Sequence, residues 1–507
     1  MPEPAFELTL QPDDEHNRRL RENVHPSNWH NPEPAKRYHL VVIGGGTAGL
    51  VSAAGAAGLG ARVALVERHL LGGDCLNVGC VPSKGVIRAA RAWHEVAHGA
   101  RFGAPRASGS GDFAAAMERM RRLRADISPH DSAKRFRELG IAVFLGNGRF
   151  VGPDAVAVGN ALLRFRRAVI ATGARATGLP IPGLDEAGYL TNETIFSLTQ
   201  LPRRLAVIGA GPIGCEMAQS FARFGSQVTI LDAGEHVLPR EDPDAALIVE
   251  RSLERDGVRY ISSARISSAR RNEDGSRTIA YVRDGKECEV DADEILVAVG
   301  RAPNVEGLGL EQAGIAYDRS GVAVDDRLRT SNKRVFACGD VASKYKFTHA
   351  ADAQARIVIQ NALFFGRARA SRIVMPWCTY TSPEIAHVGM YERDAEAAGI
   401  EVDTLTEPLS STDRAVLDGE DEGFLRIHLK KGTDKILGAT LVAAHAGDMI
   451  GELALAITAG VGLGKIAQTV HPYPTQGEIV KKAADAWRRT KLTPTVKRIF
   501  GAYFRIL

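Results

Sequence analysis

The chain is sparing with cysteine, with six in 507 residues, yet only four residues separate Cys75 from Cys80 in "GGDCLNVGCVPSK". Metal binding, a structural disulfide and redox cycling all compete for such a pair. Zinc wants four ligands, usually supplied as two close pairs, whereas Cys215, Cys288, Cys338 and Cys378 are scattered. No metal site is therefore expected. The N-terminus "MPEPAFELTLQPDDEHNRRL" is charged and broken by proline, unlike a secretion signal. No run of about 18 apolar residues exists to span a bilayer. A cytoplasmic location is expected, where disulfides are more often catalytic or redox-sensing than structural. Cys80 opens "VPSKGVIRAARAWHEV", a helical pattern, and a helix N-terminus lowers a thiol pKa and favours the thiolate.

Two repeated units must position this pair. "YHLVVIG" reads as a strand, "GGGTAG" as a loop, "LVSAAGAAGLG" as a small-residue helix and "ARVALVE" as a second strand. The pattern recurs as "RRLAVIG", "GAGPIG", "CEMAQSFARFG" and "SQVTILD". Gly44, Gly46 and Gly49 fit G-x-G-x-x-G, as do Gly209, Gly211 and Gly214. In that motif the first glycine permits a tight turn and the second lets backbone approach a pyrophosphate. The third lets the helix pack closely on the strand. The helix N-terminus then offers free N–H groups to the phosphates. Glu67 and Asp232 end the second strands, where a carboxylate can bind ribose hydroxyls. Asp232 would repel a 2′-phosphate, and "AGEHV" after it lacks a basic pair, so NADH is favoured over NADPH.

The remaining pattern is that of a multidomain globular chain, two to four domains by length. It is 45% apolar and 24% charged, and its net charge of +4 gives no reason to expect a nucleic-acid partner. A polar, proline-containing arm is expected over 1–37 and a helical stretch over Asp112 to Leu139. From about Met375, strand-like "GFLRIHL" and "KILGATLVAAH" precede helical "GDMIGELALAITAG" and "GEIVKKAADAWRR", a separate α+β pattern. At the end, Val496, Ile499, Phe500, Tyr503, Phe504 and Leu507 recur at helical spacing among Lys497, Arg498 and Arg505. Such a basic amphipathic helix either makes a peripheral membrane contact or packs on its own domain or on a partner subunit.

"GGDCLNVGCVPSK", together with "ATG" (Ala171 to Gly173), "GRAPN" (Gly300 to Asn304) and "CGD" (Cys338 to Asp340), resembles the FAD-dependent pyridine nucleotide–disulfide oxidoreductases. This is the group that includes mercuric reductase and dihydrolipoyl dehydrogenase. The resemblance runs from about Tyr38 to Arg489. It implies an α/β fold of two Rossmann-like dinucleotide-binding domains and a C-terminal α+β dimerisation domain. The implied division is an FAD domain over 38–190 and 311–374, an NAD(P) domain over 191–310, an interface domain over 375–489 and a basic tail over 490–507. It also implies a homodimer, with FAD and NAD(P)H as cofactors. Cys80 resembles the thiol facing the flavin, and Cys75 the outer thiol that meets the substrate. Lys84 and Glu216 resemble an ion pair beside the flavin. Thr172, Gly173, Gly300, Gly339 and Asp340 fall in cofactor-binding motifs, Asp340 matching an acid that bonds the FAD ribityl and phosphate region.

The pattern breaks in two places. Disulfide-reducing relatives carry "H-x-H-P-T-x-x-E", whose second histidine is the acid–base partner of the outer thiol. This chain reads "HPYPTQGE", so Tyr473 takes that histidine's place while Glu478 is kept. A phenol with pKa about 10 is a poor base near neutrality, where an imidazole at about 6.5 is well suited. His471 is the nearest substitute, with a structural role as the alternative. Asp74 stands where relatives carry threonine; its carboxylate either raises the Cys75 pKa or caps the loop. The expected function is an NAD(P)H reductase passing electrons through Cys75 and Cys80 to a small-molecule, disulfide or metal-ion acceptor, mercuric reductase-like. That resemblance comes without the cysteine pair by which mercuric reductases deliver the metal, since "TPTVKRIFGAYFRIL" has none. A membrane-associated NADH:quinone electron carrier and a redox-sensing flavoprotein are the alternatives.

Overall fold

Strand β1 (Tyr38–Ile43) has Leu40 to Ile43 buried without interruption. A strand apolar on both faces belongs inside a parallel sheet covered by helices. The computed structural model, which describes residues 10–105 and 111–507, builds that sheet. From β1 the chain passes through α1 (Thr47–Gly58) to β2 (Val63–Glu67). The short α2 (Gly73–Asn77), the long α3 (Cys80–His98) and α4 (Phe113–Ile127) follow. Next come β3 (Ala142–Leu145), β4 (Ala161–Ile170) and β5 (Ala174–Ala176).

The second βαβ unit comprises β6 (Arg204–Ile208), α5 (Pro212–Arg223) and β7 (Gln227–Leu231). β8 (Glu294–Val297) pairs with the other edge of β6, in parallel. β9 (Arg301–Pro303) runs antiparallel to β5. β10 (Val335–Ala337) then returns to the first sheet, completing the parallel order β3–β2–β1–β4–β10. α6 (Thr348–Leu363) closes against α1. The small residues of α1 permit that approach: a Cβ on Gly55 would meet Ile359 Cδ1 at 2.6 Å.

Two compact units emerge, residues 1–233 with 261–373, and 234–260 with 374–507. Residues 234–260, expected within the NAD(P) domain, group with the C-terminal part. Trp377 and Tyr391 donate to Glu241 at 2.9 and 2.6 Å, and Arg426 pairs with both Asp242 and Asp244. In that unit β11 (Pro376–Thr379), β12 (Glu384–Gly389), β13 (Val402–Pro408), β14 (Phe424–Lys430) and β15 (Ile436–Ala443) form an antiparallel sheet. Its order is β11–β12–β15–β14–β13. α7 (Ala446–Ala459) packs on β12 and β15, burying Ile450 and Leu453; α8 (Glu478–Thr490) and α9 (Pro494–Tyr503) follow.

Two expectations change in detail. The arm is not extended where it is described. Residues Glu15–Val24 form a helix, Asp14 accepts from Asn17 N at 2.8 Å, and Leu20 and Val24 are fully buried. Those two apolar residues at i and i+4 were the signal beneath a polar composition. The first nine residues of the expected arm lie outside the described residues. The helical stretch from Asp112 to Leu139 stops at Ile127, turns through Ser128–Asp131 around Pro129 and resumes at Ala133–Glu138, since proline ends the preceding hydrogen-bond ladder. Among the described residues, no helix is long and apolar enough to cross a membrane.

Candidate active site

The two glycine loops have nearly the same geometry. Gly44 and Gly209 both have φ +106°, a region a side chain rarely enters. A Cβ on Gly49 would lie 1.8 Å from Gly44 O, and one on Gly214 would lie 2.0 Å from Gly209 O, so helix and loop touch through backbone. The middle glycines differ: a Cβ on Gly46 meets only Gly73 Cα at 3.6 Å, and one on Gly211 only Ala298 O at 4.0 Å. Gly46 and Gly211 are also the N-caps of α1 and α5, and no side chain caps either helix. Open space above uncapped N–H groups suits a pyrophosphate.

The strand-end acids brace these loops. Glu67 accepts from Gly45 N at 2.5 Å and His69 N at 2.6 Å, and Asp232 accepts from Ala210 N at 2.7 Å. Burial pushes the Glu67 carboxyl up, against the pull of its backbone donors. Around the first loop, Thr172 donates to Asn304 O at 2.8 Å and Asn304 returns a bond to Thr172 O at 2.9 Å. "ATG" and "GRAPN" are thereby clasped; Asn304 N also donates to Gly173 O at 3.0 Å, and Thr177 N to Gly300 O at 3.1 Å. Gly339 (φ +78°) faces α1, since its Cβ would meet Ala48 Cβ at 3.1 Å. Next to it, Asp340 lies 3.5 Å from Arg301 Nε. Burial raises the Asp340 carboxyl, and Arg301 and Lys346 offset part of that rise. Arg301 also donates to Ala174 O at 2.6 Å and pairs with Asp74. Asp74 thus bonds an arginine carried by β9, a partner absent from both sequence-based readings of this carboxylate.

The thiols sit on two consecutive helices. Cys75 lies within α2 and Cys80 is the first residue of α3; both are free thiols. Gly72 (φ +88°) bonds back to Gly45 O at 2.8 Å, tying this segment to the first glycine loop. The Cys80 thiol is pulled down to about 6, chiefly by a hydrogen bond from Cys75, against burial. Thr348 Oγ1, 3.4 Å away, and Lys84 add to the pull. The same bond drives the Cys75 thiol upward, with burial adding to it. Lys84, one turn along α3, bonds Glu216 of α5 at 3.0 Å. The Glu216 side chain is only 7% exposed, so the ion pair locks α3 against the second dinucleotide unit. A cleft of about 360 Å³ opens beside Cys80, with Arg88 and Arg119 in its wall.

In the C-terminal unit, His471 Nε2 bonds Glu452 of α7 at 3.0 Å, and Nδ1 faces Thr469 O at 3.3 Å. Glu478 starts α8 with its Oε2 buried and without a hydrogen-bond partner. Tyr473 is 69% exposed and donates to Asp413 at 3.0 Å, a bond that raises its phenol further. His471 and Glu478 are therefore not paired. Sequence reasoning missed Glu452, Asp413 and Thr348, which stand in no quoted motif. Arg301 was in view within "GRAPN", but its acidic partners are remote in sequence.

This geometry is that of a two-dinucleotide disulfide reductase, and the comparisons agree. Residues 38–355 match the family described as pyridine nucleotide-disulphide oxidoreductase. Residues 375–484 match the dimerisation domain of the same family. A mercuric reductase from Bacillus cereus is 34% identical over 455 residues, covering 89% of this chain and 72% of the relative. A dihydrolipoyl dehydrogenase from Geobacillus stearothermophilus is 34% identical over 455 residues, 88% of this chain and 95% of its own length. Among solved structures, the Cu(II) complex of the HOCl-induced flavoprotein disulfide reductase RclA from Escherichia coli superposes with a TM-score of 0.78 at 28% identity. It covers 89% of this chain and 100% of that one. LpdA from Mycobacterium tuberculosis superposes with a TM-score of 0.81 at 28% identity, over 88% and 99%. The chain belongs to the pyridine nucleotide–disulfide oxidoreductases: it is an FAD-dependent enzyme that uses NAD(P)H. Its dimerisation domain supports a homodimer.

Proposed function

We propose that this enzyme is an NADH-dependent reductase that delivers electrons through Cys75 and Cys80 to a soft metal ion or a reactive disulfide, in the manner of mercuric reductase. The observation that carries the reading is the contrast between a well-poised thiol and a missing proton relay. Cys80 is drawn toward the thiolate by Cys75, Thr348 and Lys84. His471, by contrast, has both ring nitrogens engaged within its own unit, and Tyr473 is a phenol pushed away from neutrality. Exchange with a lipoamide-type disulfide needs a base near neutral pH to move a proton to and from the departing thiol. A thiophilic metal ion bound first by the Cys80 thiolate displaces the remaining proton of Cys75 to solvent as the second sulfur binds, and needs no positioned base.

Bound FAD would supply two-electron transfer between nicotinamide and thiols. The chain's own residues do the rest. The uncapped N-termini of α1 and α5 would hold the pyrophosphates, and Glu67 and Asp232 would face the riboses. Lys84, fixed by Glu216, holds positive charge beside Cys80. Cys75, half-buried next to the more exposed Cys80, would present the reduced pair to the acceptor once FAD covers Cys80. On reoxidation the two sulfurs lose two electrons, form one S–S bond and release any proton still held by Cys75.

The test is steady-state NADH oxidation by the FAD-loaded homodimer against lipoamide, glutathione disulfide, mercuric ion, cupric ion and a soluble quinone. Each is run with native protein and with Cys75→Ser. Turnover of mercuric or cupric ion that disappears in the variant is expected. Turnover of quinone alone, unchanged by the variant, would replace this reading with flavin-only electron transfer. No turnover of any acceptor would favour a redox-sensing role.

A further inference from the structure

The residues after Asp485 are strongly basic. Between Ala486 and Leu507 stand six basic residues, Arg488, Arg489, Lys491, Lys497, Arg498 and Arg505, and no carboxylate side chain. This stretch begins where the match to the dimerisation domain ends, at residue 484. α9 starts independently of the domain before it. Pro494 is its first residue, and Thr493 caps it by accepting from Val496 N at 3.3 Å.

The helix is two-sided. Val496, Ile499, Phe500 and Tyr503 repeat at i, i+3, i+4 and i+7 and fall on one face. Lys497 and Arg498 fall on the other. None of its residues is buried. Ile499 is 62% exposed and Phe504 68%, and Ile506 and Leu507 beyond the helix are 86% and 84% exposed. A run of uncovered aromatic and aliphatic side chains costs free energy in water. It therefore calls for an occupant.

We propose that α9 and the residues that follow it dock on an anionic lipid bilayer surface, lying in the interface plane with Ile499, Phe500, Tyr503 and Phe504 inserted. The charge decides the occupant. Six cations without one compensating acid match a sheet of anionic headgroups, and apolar side chains opposite those cations match the acyl boundary beneath. A protein surface would have to supply both an apolar groove and a dense acidic rim. The docking is peripheral, since α9 spans ten residues and a crossing needs about 20.

Flotation of the FAD-loaded enzyme with phosphatidylcholine vesicles, plain or containing about one-third phosphatidylglycerol, tests this. The native enzyme is expected to float with the anionic vesicles and not with the neutral ones, and to be released by added salt. Ile499→Glu with Phe504→Glu should lower the floated fraction about tenfold or more while NADH oxidation and elution volume stay native. Deletion of residues 491–507 should do the same, should the double variant misfold. Failure of the native enzyme to float with anionic vesicles would overturn the proposal, as would undiminished flotation of both variants. Dissociation of the dimer on deletion would also overturn it, by making a second copy of the chain the occupant.

Discussion

Arg301 donates to the carboxylate of Asp74, the residue immediately before Cys75, and the same guanidinium lies 3.5 Å from Asp340. One arginine on β9 thus gathers the thiol-bearing helix and the end of β10. Its side chain is only 15% exposed, whereas that of Asp74 is 43% exposed. The two partners should differ in what their loss costs. Arg301→Ala leaves the largely buried Asp340 with Lys346 as its remaining nearby cation and orphans Asp74 as well, and is expected to destabilise by about 2 kcal/mol. Asp74→Asn keeps a hydrogen-bonding group at a half-exposed site and should cost about 1 kcal/mol or less. Urea unfolding of both variants near neutral pH measures the difference. Equal losses would mean that Arg301 is held mainly by Ala174 O.

The two thiols should titrate far apart. With Cys80 drawn down to about 6, its thiolate predominates above that pH and is lost as pH falls through it. Alkylation of the reduced, FAD-free protein by iodoacetamide should therefore rise through about pH 6 at Cys80, ahead of Cys75, whose thiol is driven upward. Cys75→Ala removes the hydrogen bond that does most to lower Cys80, and Lys84→Met removes a nearby cation. Both should move the inflection upward, by about half a pH unit or more. Peptide mapping of the alkylated protein separates the two sites. An inflection unmoved by both substitutions would leave the helix N-terminus as the main source of acidity.

The first glycine loop offers a contrast between folding and cofactor binding. Gly49→Ala would place a methyl 1.8 Å from Gly44 O, a backbone atom that cannot step aside. It should destabilise the FAD domain by about 3 kcal/mol or more. Gly46→Ala meets only Gly73 Cα at 3.6 Å, so the apoprotein should keep its melting temperature within a few degrees. The methyl would fill the space a pyrophosphate needs, so this variant should retain FAD poorly. Thermal melts with and without added FAD distinguish the two effects.

Local features of the fold were legible because they are written in contiguous residues. The uninterrupted apolar run of β1, the glycines of both loops and the acids ending β2 and β7 each lie within one stretch of chain. The C-x4-C pair and its helix are of the same kind. Contacts between remote residues left no such trace. Nothing near Asp74 points to Arg301, 227 positions away. Nothing near His471 singles out Glu452 among the acids of the C-terminal region. The tie of Trp377 and Tyr391 to Glu241, which draws residues 234–260 to the C-terminal unit, is equally invisible in a βαβ pattern. The arm misled for a different reason: two buried apolar residues suffice to order a short helix whose composition is otherwise polar.

Nicotinamide choice should follow from Asp232. Its Oδ2 accepts from Ala210 N at 2.7 Å, which fixes the carboxylate at the end of β7 beside the second glycine loop. A carboxylate there accepts from a free 2′-hydroxyl and repels a 2′-phosphate, and the following residues "AGEHV" carry no arginine or lysine to offset that repulsion. The native enzyme should therefore use NADH with a kcat/KM about a hundredfold above that for NADPH. Asp232→Asn keeps an acceptor oxygen for Ala210 N and removes the charge. It should raise NADPH efficiency by about tenfold and lower NADH efficiency by a smaller factor, since the ribose keeps a neutral acceptor. Thermal melts of the variant should stay close to native, separating a change in recognition from damage to the loop. A native preference for NADPH would show that a cation elsewhere in the chain outweighs Asp232 at the 2′ position.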